Sequence, residues 1–401
     1  MVALSDQDAQ KGPNMEPQPH IRSGHSCVPD AREAVHAFHA AVQQPDMALV
    51  LFFCCSEYNL SEIAEEMRRL FAGVQVVGCT TAGEIGPAGH RDHSLTGASF
   101  PVGDFHVAAG LIEHLQDFDS ARGKAFAEDV LGRLESAAPQ TVASNSFALL
   151  LSDGLSMREE SVTHVLQRTL CELPMIGGSA GDGMKFGRTQ VYFDGAFHSD
   201  SAVLAVVTTH LPFMQFKTQH YVPSNKRMVV TAADPASRTV MEINGQPAAE
   251  EYARVLQLDY DGFDPMRFAV SPPIVVMIDG TSYVRSIKEA NPDGSLSFFC
   301  AIDNGLVLRV AEGGDLFNNL DQELTRIRAE IGEPEIIVGF DCILRKLEIF
   351  SGPSKDRISE LFKKNRVVGF NTYGEQINGV HVNQTLVGVA IGAAAGGANH
   401  A

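Results

Sequence analysis

Three times along the chain, an unbroken apolar run is followed by an amphipathic stretch, a second short apolar run and a glycine-rich turn. The first unit runs through residues 48–54 (ALVLFFC) and 60–71, where Ile63, Met67, Leu70 and Phe71 share one helical face. The second takes residues 147–151 (FALLL) and 157–170; the third takes 335–340 (EIIVGF) and 341–364, with a helix break predicted at Gly352-Pro353. Continuous apolar strands separated by a helix-period stretch predict crossover units in sheets covered on at least one face. The turns themselves align. Val76-Val77-Gly78-Cys79-Thr80-Thr81-Ala82-Gly83-Glu84 matches Val367-Val368-Gly369-Phe370-Asn371-Thr372-Tyr373-Gly374-Glu375, and Met175-Ile176-Gly177-Gly178-Ser179-Ala180-Gly181-Asp182 is a looser copy.

Beyond each turn the pattern becomes strand-like. Residues 94–102 and 104–111 predict a hairpin bent at Gly103-Asp104, residues 189–193 and 202–207 another around Asp194-Gly195, and residues 385–391 close the third unit. A helix over 118–134 separates the first two units. The middle of the chain differs. Short strands are predicted over 226–231, 239–243, 273–278, 281–287, 295–300 and 306–310, with turns at Asn244-Gly245, Asp279-Gly280 and Asp293-Gly294 and helices over 248–258 and 314–331. The predicted class is α/β with mixed sheets in two domains, residues 30–215 and 216–391, divided in an irregular aromatic stretch between Pro212 and Pro223. The polar start, residues 1–29, and the small-residue end, 392–401, are expected to be disordered and flexible tails.

Charge narrows the partners. A formal net charge of −18 repels phosphate backbones and anionic lipid, so nucleic acid and membrane surfaces are poor partners. No apolar run is long enough for a membrane span, and the start lacks the pattern of a signal peptide. The 7 cysteines are odd in number and lack CxxC spacing, which reads as free thiols in a reducing, cytoplasmic setting.

Several residues then become candidates for chemistry. Glycine turns bring backbone N–H groups close to whatever fills a cleft beyond the strand ends, so Gly83 and Gly374 are candidate ligand positions. Glu84 and Glu375, each directly after such a glycine, either hold a ligand's amine or a proton, or are solvated acids on a tight bend. No lysine or Rossmann spacing makes these turns phosphate loops. Among the histidines, His36 and His39 share a helix face and His90 and His93 sit in a polar loop; all four read as surface residues. His220 follows an apolar aromatic stretch and His381 follows the third turn, so both are candidate metal or cofactor ligands. Cys342 opens a helix beside Arg345, a setting that lowers a thiol's pKa, and with His381 it can be read as a nucleophile pair; a buried structural cysteine is the plain alternative.

With these residues in place, the chain resembles the FIST-domain family. VVGCTTAGEI, DHSLTGASF, LLLSDGL and MIGGSAGD resemble the FIST N-terminal pattern; VVTAADPASRTVMEINGQPAAEEYA, SYVRSI, DGSLSFFCAIDNG, DCILRK and GFNTYGEQINGVHVNQT resemble the C-terminal one. The resemblance implies a sensory protein, not an enzyme, that binds small ligands such as amino acids and acts on a separate signalling partner. It is also similar to nitric-oxide-sensing FIST haemoproteins, which implies haem b held without covalent attachment and a histidine kinase partner in two-component signalling. On that reading His381 or His220 is the axial ligand. A haem-free reading has Arg285, Arg345, Glu375 and the turn amides holding an amino acid, and a third has Cys342 serving a hydrolase or transferase.

Overall fold

The computed structural model describes residues 20–258, 273–278 and 280–393. The first unit comprises β1 (Arg22–Ser26), α1 (Ala31–Val42), β2 (Met47–Cys55), α2 (Leu60–Leu70), β3 (Gln75–Thr81), β4 (Glu84–Gly86), β5 (Gly89–Arg91) and β6 (Leu95–Pro101). The second comprises β7 (Phe105–Ile112), α3 (Ser120–Ala137), β8 (Ser146–Ser152), α4 (Glu159–Leu170), β9 (Met175–Ser179), β10 (Val191–Phe193), β11 (Ala196–His198) and β12 (Ala202–Thr209). After β13 (Phe213–Thr218) the chain leaves to build a separate eight-stranded sheet. That sheet holds β14 (Tyr221–Asp234), β15 (Thr239–Ile243), β16 (Gln246–Pro247), β17 (Ile274–Ile278), β18 (Thr281–Arg285), β19 (Ile287–Ala290), β20 (Leu296–Phe298) and β21 (Val307–Gly313), with α5 (Ala248–Leu256) packed on it. The chain then returns for α6 (Leu316–Ile331), β22 (Pro334–Cys342), α7 (Ile343–Ser351), α8 (Lys355–Lys364), β23 (Val367–Thr372), β24 (Glu375–Ile377), β25 (Val380–Val382) and β26 (Leu386–Gly392). The class is mixed α/β in two domains, as the pattern predicts.

The three units exchange strands in a ring. Each six-stranded sheet centres on a parallel pair, β2/β3, β8/β9 or β22/β23, flanked by an antiparallel strand, β6, β12 or β26. The far edge of each sheet is a hairpin from another unit. β4–β5 joins β23, β10–β11 joins β3, and β24–β25 joins β9. Alternation along the central strands sorts the core. Leu49, Leu51 and Phe53 face a common core shared by all three sheets, while Val50, Phe52 and Cys54 face α1 and α2.

This exchange corrects two sequence expectations. β6 and β7 do not form a hairpin, because β1 occupies the edge of β6 and β7 pairs with β12 in the next sheet. Asp194-Gly195 does turn a hairpin, but its second arm is β11, while β12 belongs to another sheet. Residues 22–26, placed in the polar tail by their composition, form β1 in register with β6. Gly392, expected in the terminal tail, is the last residue of β26, while residues 1–19 and 394–401 of the expected tails and Asp279 of the Asp279-Gly280 turn lie outside the described residues. The helix expected over 248–258 ends at Leu256, and residues 259–272 are not described. Among the described residues, no helix is long and apolar enough to cross a membrane.

Candidate functional site

The ring brings the three glycine turns to one point. Their backbone amides bond to one another: Ala82 N donates to Asn371 O at 2.9 Å, Asn371 N to Gly83 O at 2.7 Å, Gly181 N to Thr80 O at 3.0 Å, and Ser179 N to Gly374 O at 2.8 Å. The expectation of bare amides facing a ligand is therefore corrected at these positions. The Tyr373 hydroxyl completes the junction by donating to the Asp182 carboxylate. Gly83 alone of the two candidate glycines takes a left-handed φ, +134°. Gly374 matters for space instead, since a Cβ there would overlap the His381 ring.

Glu84 and Glu375 are matched internal fastenings and not solvated acids. Glu84 is 1% exposed and accepts from the Thr81 hydroxyl, from Ser94 N at 3.0 Å and from Ser94 Oγ at 2.8 Å. Glu375 is 0% exposed and accepts from the Thr372 hydroxyl, Thr385 N at 3.2 Å and Thr385 Oγ1 at 2.7 Å. Burial disfavours the charged forms more than these donors favour them, pushing Glu84 up to about 7 and Glu375 up to about 8. Because these folded-state values exceed the unfolded ones, the folded chain holds extra protons at neutral pH, and stability is lost as pH rises towards 8. His381, pushed down to about 4 chiefly by burial, acts in the opposite sense only below about 6.5. Between pH 6.5 and 9, urea midpoints should therefore fall for the native chain and fall less for Glu375→Gln, by on the order of 2 kcal/mol. Parallel curves for the two proteins would mean that Glu375 does not titrate there.

A cleft of about 520 Å³ opens beside this junction. Its floor is Thr81 to Glu84; its walls come from Cys55–Glu57 at and beyond the end of β2, Asp92 and His93 before β6, Asp182–Lys185 after β9, and one face of α7 with Ile343, Lys346, Leu347 and Phe350. The wall charges are paired across elements. Lys185 Nζ meets Glu57 Oε1 at 2.8 Å, and Lys346 Nζ donates to Ala82 O at 2.8 Å and pairs with Asp92. His93 Nδ1 lies 2.7 Å from Glu57 Oε2, and Cys55 Sγ lies 3.6 Å from the same nitrogen. Burial, with Glu84 and Glu57 nearby, pushes the Cys55 thiol up to about 11, so it is protonated at neutral pH.

The nine candidate residues separate into four places. Gly83 and Glu84 line the cleft. Gly374, Glu375, His381 and Arg285 belong to a buried network between the third unit and the eight-stranded sheet, which also holds Glu160, Arg238, Cys300 and Asn383. Cys342 lies under the junction against Ala82 and Tyr373, and burial raises its thiol well above the usual range, opposite to the activation expected from its position. Arg345 donates to Asp341 at 2.8 Å beneath α7, and His220 meets Glu348 Oε1, three residues further along that helix, at 2.8 Å. Cys55, Glu57, His93, Lys185 and Lys346 were not singled out as ligand residues by the sequence reading. The repeat could have drawn attention to Cys55 and Glu57 alone, at the end of the first unit's first strand; His93, Lys185 and Lys346 join them only through the fold.

Haem ligation through His381 or His220 does not fit this arrangement. The His381 ring packs so close to Gly374 that a methyl group there would overlap it. His220 is bonded to Glu348 and lies tilted against the Tyr221 ring, with the ring centres 4.0 Å apart. Neither imidazole lines the cleft.

Comparison with known proteins agrees with the repeated motifs. The chain is 23% identical over 351 residues to "Uncharacterized protein MJ1623" of Methanocaldococcus jannaschii, covering 80% of this chain and 67% of that protein. Among solved structures, one described as "Cyanuric acid hydrolase: evolutionary innovation by structural concatenation" aligns over 93% of this chain and 99% of its own, at 8% identity and a TM-score of 0.38. A cyanuric acid hydrolase from A. caulinodans aligns over 48% of this chain and 72% of its own, at 9% identity and a TM-score of 0.27. Similarity at that level informs neither fold nor activity. The FIST N domain matches residues 48–246 and the FIST C domain residues 248–378, so the chain belongs to the FIST family, whose domains are small-ligand sensory domains of signalling proteins.

Proposed function

We propose that the chain is a haem-free binding module whose cleft takes a small ligand carrying both charges, of amino-acid size, and reports occupancy to a separate signalling protein. The observation that carries this reading is the cleft's lining. Ammonium groups of Lys185 and Lys346 and carboxylates of Glu57, Asp92 and Asp182 ring an apolar patch of Met184, Leu347 and Phe350. An incoming carboxylate can take over a lysine, and an incoming amine the acid that lysine leaves, with no net charge buried. The cleft also abuts elements of all three units, so a bound ligand would bias how the units sit against one another. A thiol enzyme is disfavoured because Cys55 and Cys342 are both held in the protonated form.

The test is a thermal-shift and calorimetric screen of the full chain with the common amino acids. At least one should raise the melting temperature. Asp92→Asn, at the rim, should weaken its binding about ten-fold, the effect of losing one charge-assisted contact. A screen without any stabilising amino acid would overturn the reading, and a Soret band on titration with haem that shifts with nitric oxide would transfer it to the haem-sensor alternative and its histidine kinase output.

A further inference from the structure

At the mouth of the same cleft, three unlike donors from two loops converge. Cys55 ends β2, Glu57 lies just beyond it, and His93 precedes β6; the side-chain donor atoms of all three lie within 4.8 Å of one another. The loops are held together by the strand pairing that ends at Cys54 and Leu95, and by Cys55 N donating to Ser94 O at 3.0 Å. We propose that Cys55, Glu57 and His93 form a mononuclear site for zinc or a similar thiophilic divalent ion, with an open coordination position facing the cleft.

The spacing matches the chemistry. Metal bonds of about 2.3 Å to sulfur and 2.0–2.1 Å to imidazole, set at a tetrahedral angle, place the two donors about 3.6 Å apart. Cys55 Sγ and His93 Nδ1 are 3.6 Å apart. Glu57 Oε2 and His93 Nδ1, at 2.7 Å, need to open by roughly 0.6 Å to admit an ion. Both are free to do so, with side chains 45% and 69% exposed. Lys185 holds Glu57 Oε1 at 2.8 Å, which leaves Oε2 turned towards the histidine, as an outer partner commonly orients a ligating carboxylate. On binding, the thiol and any imidazolium proton pass to water, and thiolate and carboxylate together neutralise the two positive charges of the ion. Three protein donors and an open position are the pattern of sites that exchange a fourth ligand, whereas four donors close a structural site.

A second convergence, of Glu160, Cys300 and His381, is a poorer site for a cation. Arg238 already holds Glu160, and the Cys300 thiol donates to Asn383 Oδ1 at 2.6 Å. Burial holds His381 down, and the two arginines nearby, Arg238 and Arg285, add to that against the opposing Glu160.

The inference stands whether or not an amino acid enters the cleft, and its test uses metal alone. Full-length protein, kept reduced with a non-chelating phosphine, is titrated with Co²⁺ and then back-titrated with Zn²⁺. One equivalent of Co²⁺ should give a near-ultraviolet thiolate charge-transfer band with intense visible bands of four-coordinate cobalt, and Zn²⁺ should bleach both. Cys55→Ser should abolish the charge-transfer band, while His93→Gln, at a largely exposed side chain, should keep the fold and weaken binding at least ten-fold. A thiolate band that survives Cys55→Ser, or Co²⁺ affinity unchanged in His93→Gln, overturns the assignment, as does a native chain with no thiolate band.

Discussion

Gly369→Ala should cost roughly 3 kcal/mol of stability or more, the upper range for forcing an extra methyl group into a packed interior. Gly369 sits in β23 between β22 and the exchanged strand β4, and its backbone is ordinary strand, with no positive φ. The demand for glycine is spatial. A Cβ there would overlap the Gly339 carbonyl of the neighbouring strand. The equivalent position of the other two units makes the same demand, Gly78 against the Phe52 carbonyl and Gly177 against the Leu150 carbonyl. An overlap with backbone cannot be relieved by a rotamer change, so the strand pair itself must part. Urea denaturation of Gly369→Ala against Gly103→Ala provides the comparison, since a Cβ at Gly103 meets nothing within 4 Å and should change stability by no more than about 0.5 kcal/mol. Equal midpoints for the two variants would show that β22 and β23 separate without penalty.

The same three glycines show what was legible before the structure. Val-Val-Gly and Met-Ile-Gly recur at the end of each crossover unit, and the repeat exists because close strand approach recurs with it. The units, their order and their buried strands follow from uninterrupted apolar runs, which only a doubly covered sheet can absorb. Strand exchange was not legible. β4 and β10 are three residues long, and so short a segment carries no pattern that says which sheet receives it. The acids after the turns were visible as a repeat, yet their burial was not, because the deciding partners, Ser94 and Thr385, lie ten residues further along and close over each carboxylate only once the hairpin folds back. The cleft was hidden for a related reason. Cys55 and His93 are 38 residues apart, and only the pairing of β2 with β6 makes them neighbours.

Replacing Arg238 by methionine should be the costliest change to the seam between the two domains. Arg238 lies between β14 and β15 and reaches across to the N-terminus of α4. There it bonds Glu159 Oε2 at 2.5 Å, pairs with Glu160, and donates to Phe299 O at 2.7 Å. Glu159 is 3% exposed and is pushed up to about 7, foremost by burial, even with the guanidinium in place. Removing that cation leaves two carboxylates side by side in a buried seam, a loss that typically costs about 3–5 kcal/mol. Methionine fills most of the volume, so the change isolates the charge from the packing. The sign of the pH dependence then separates two causes. Without Arg238 the raised proton affinity of Glu159 rises further and Glu160 loses one of the cations that hold its carboxyl down, so the variant's deficit should be largest near pH 8 and shrink as pH falls towards 5, where the pair can take up protons. Urea midpoints at pH 5 and pH 8, together with hydrogen exchange across residues 221–256 and α4, read both the size and the place of the loss. A deficit that is the same at both pH values would assign the effect to lost packing, and one below about 1 kcal/mol would mean that the seam opens to water and hydrates the two acids.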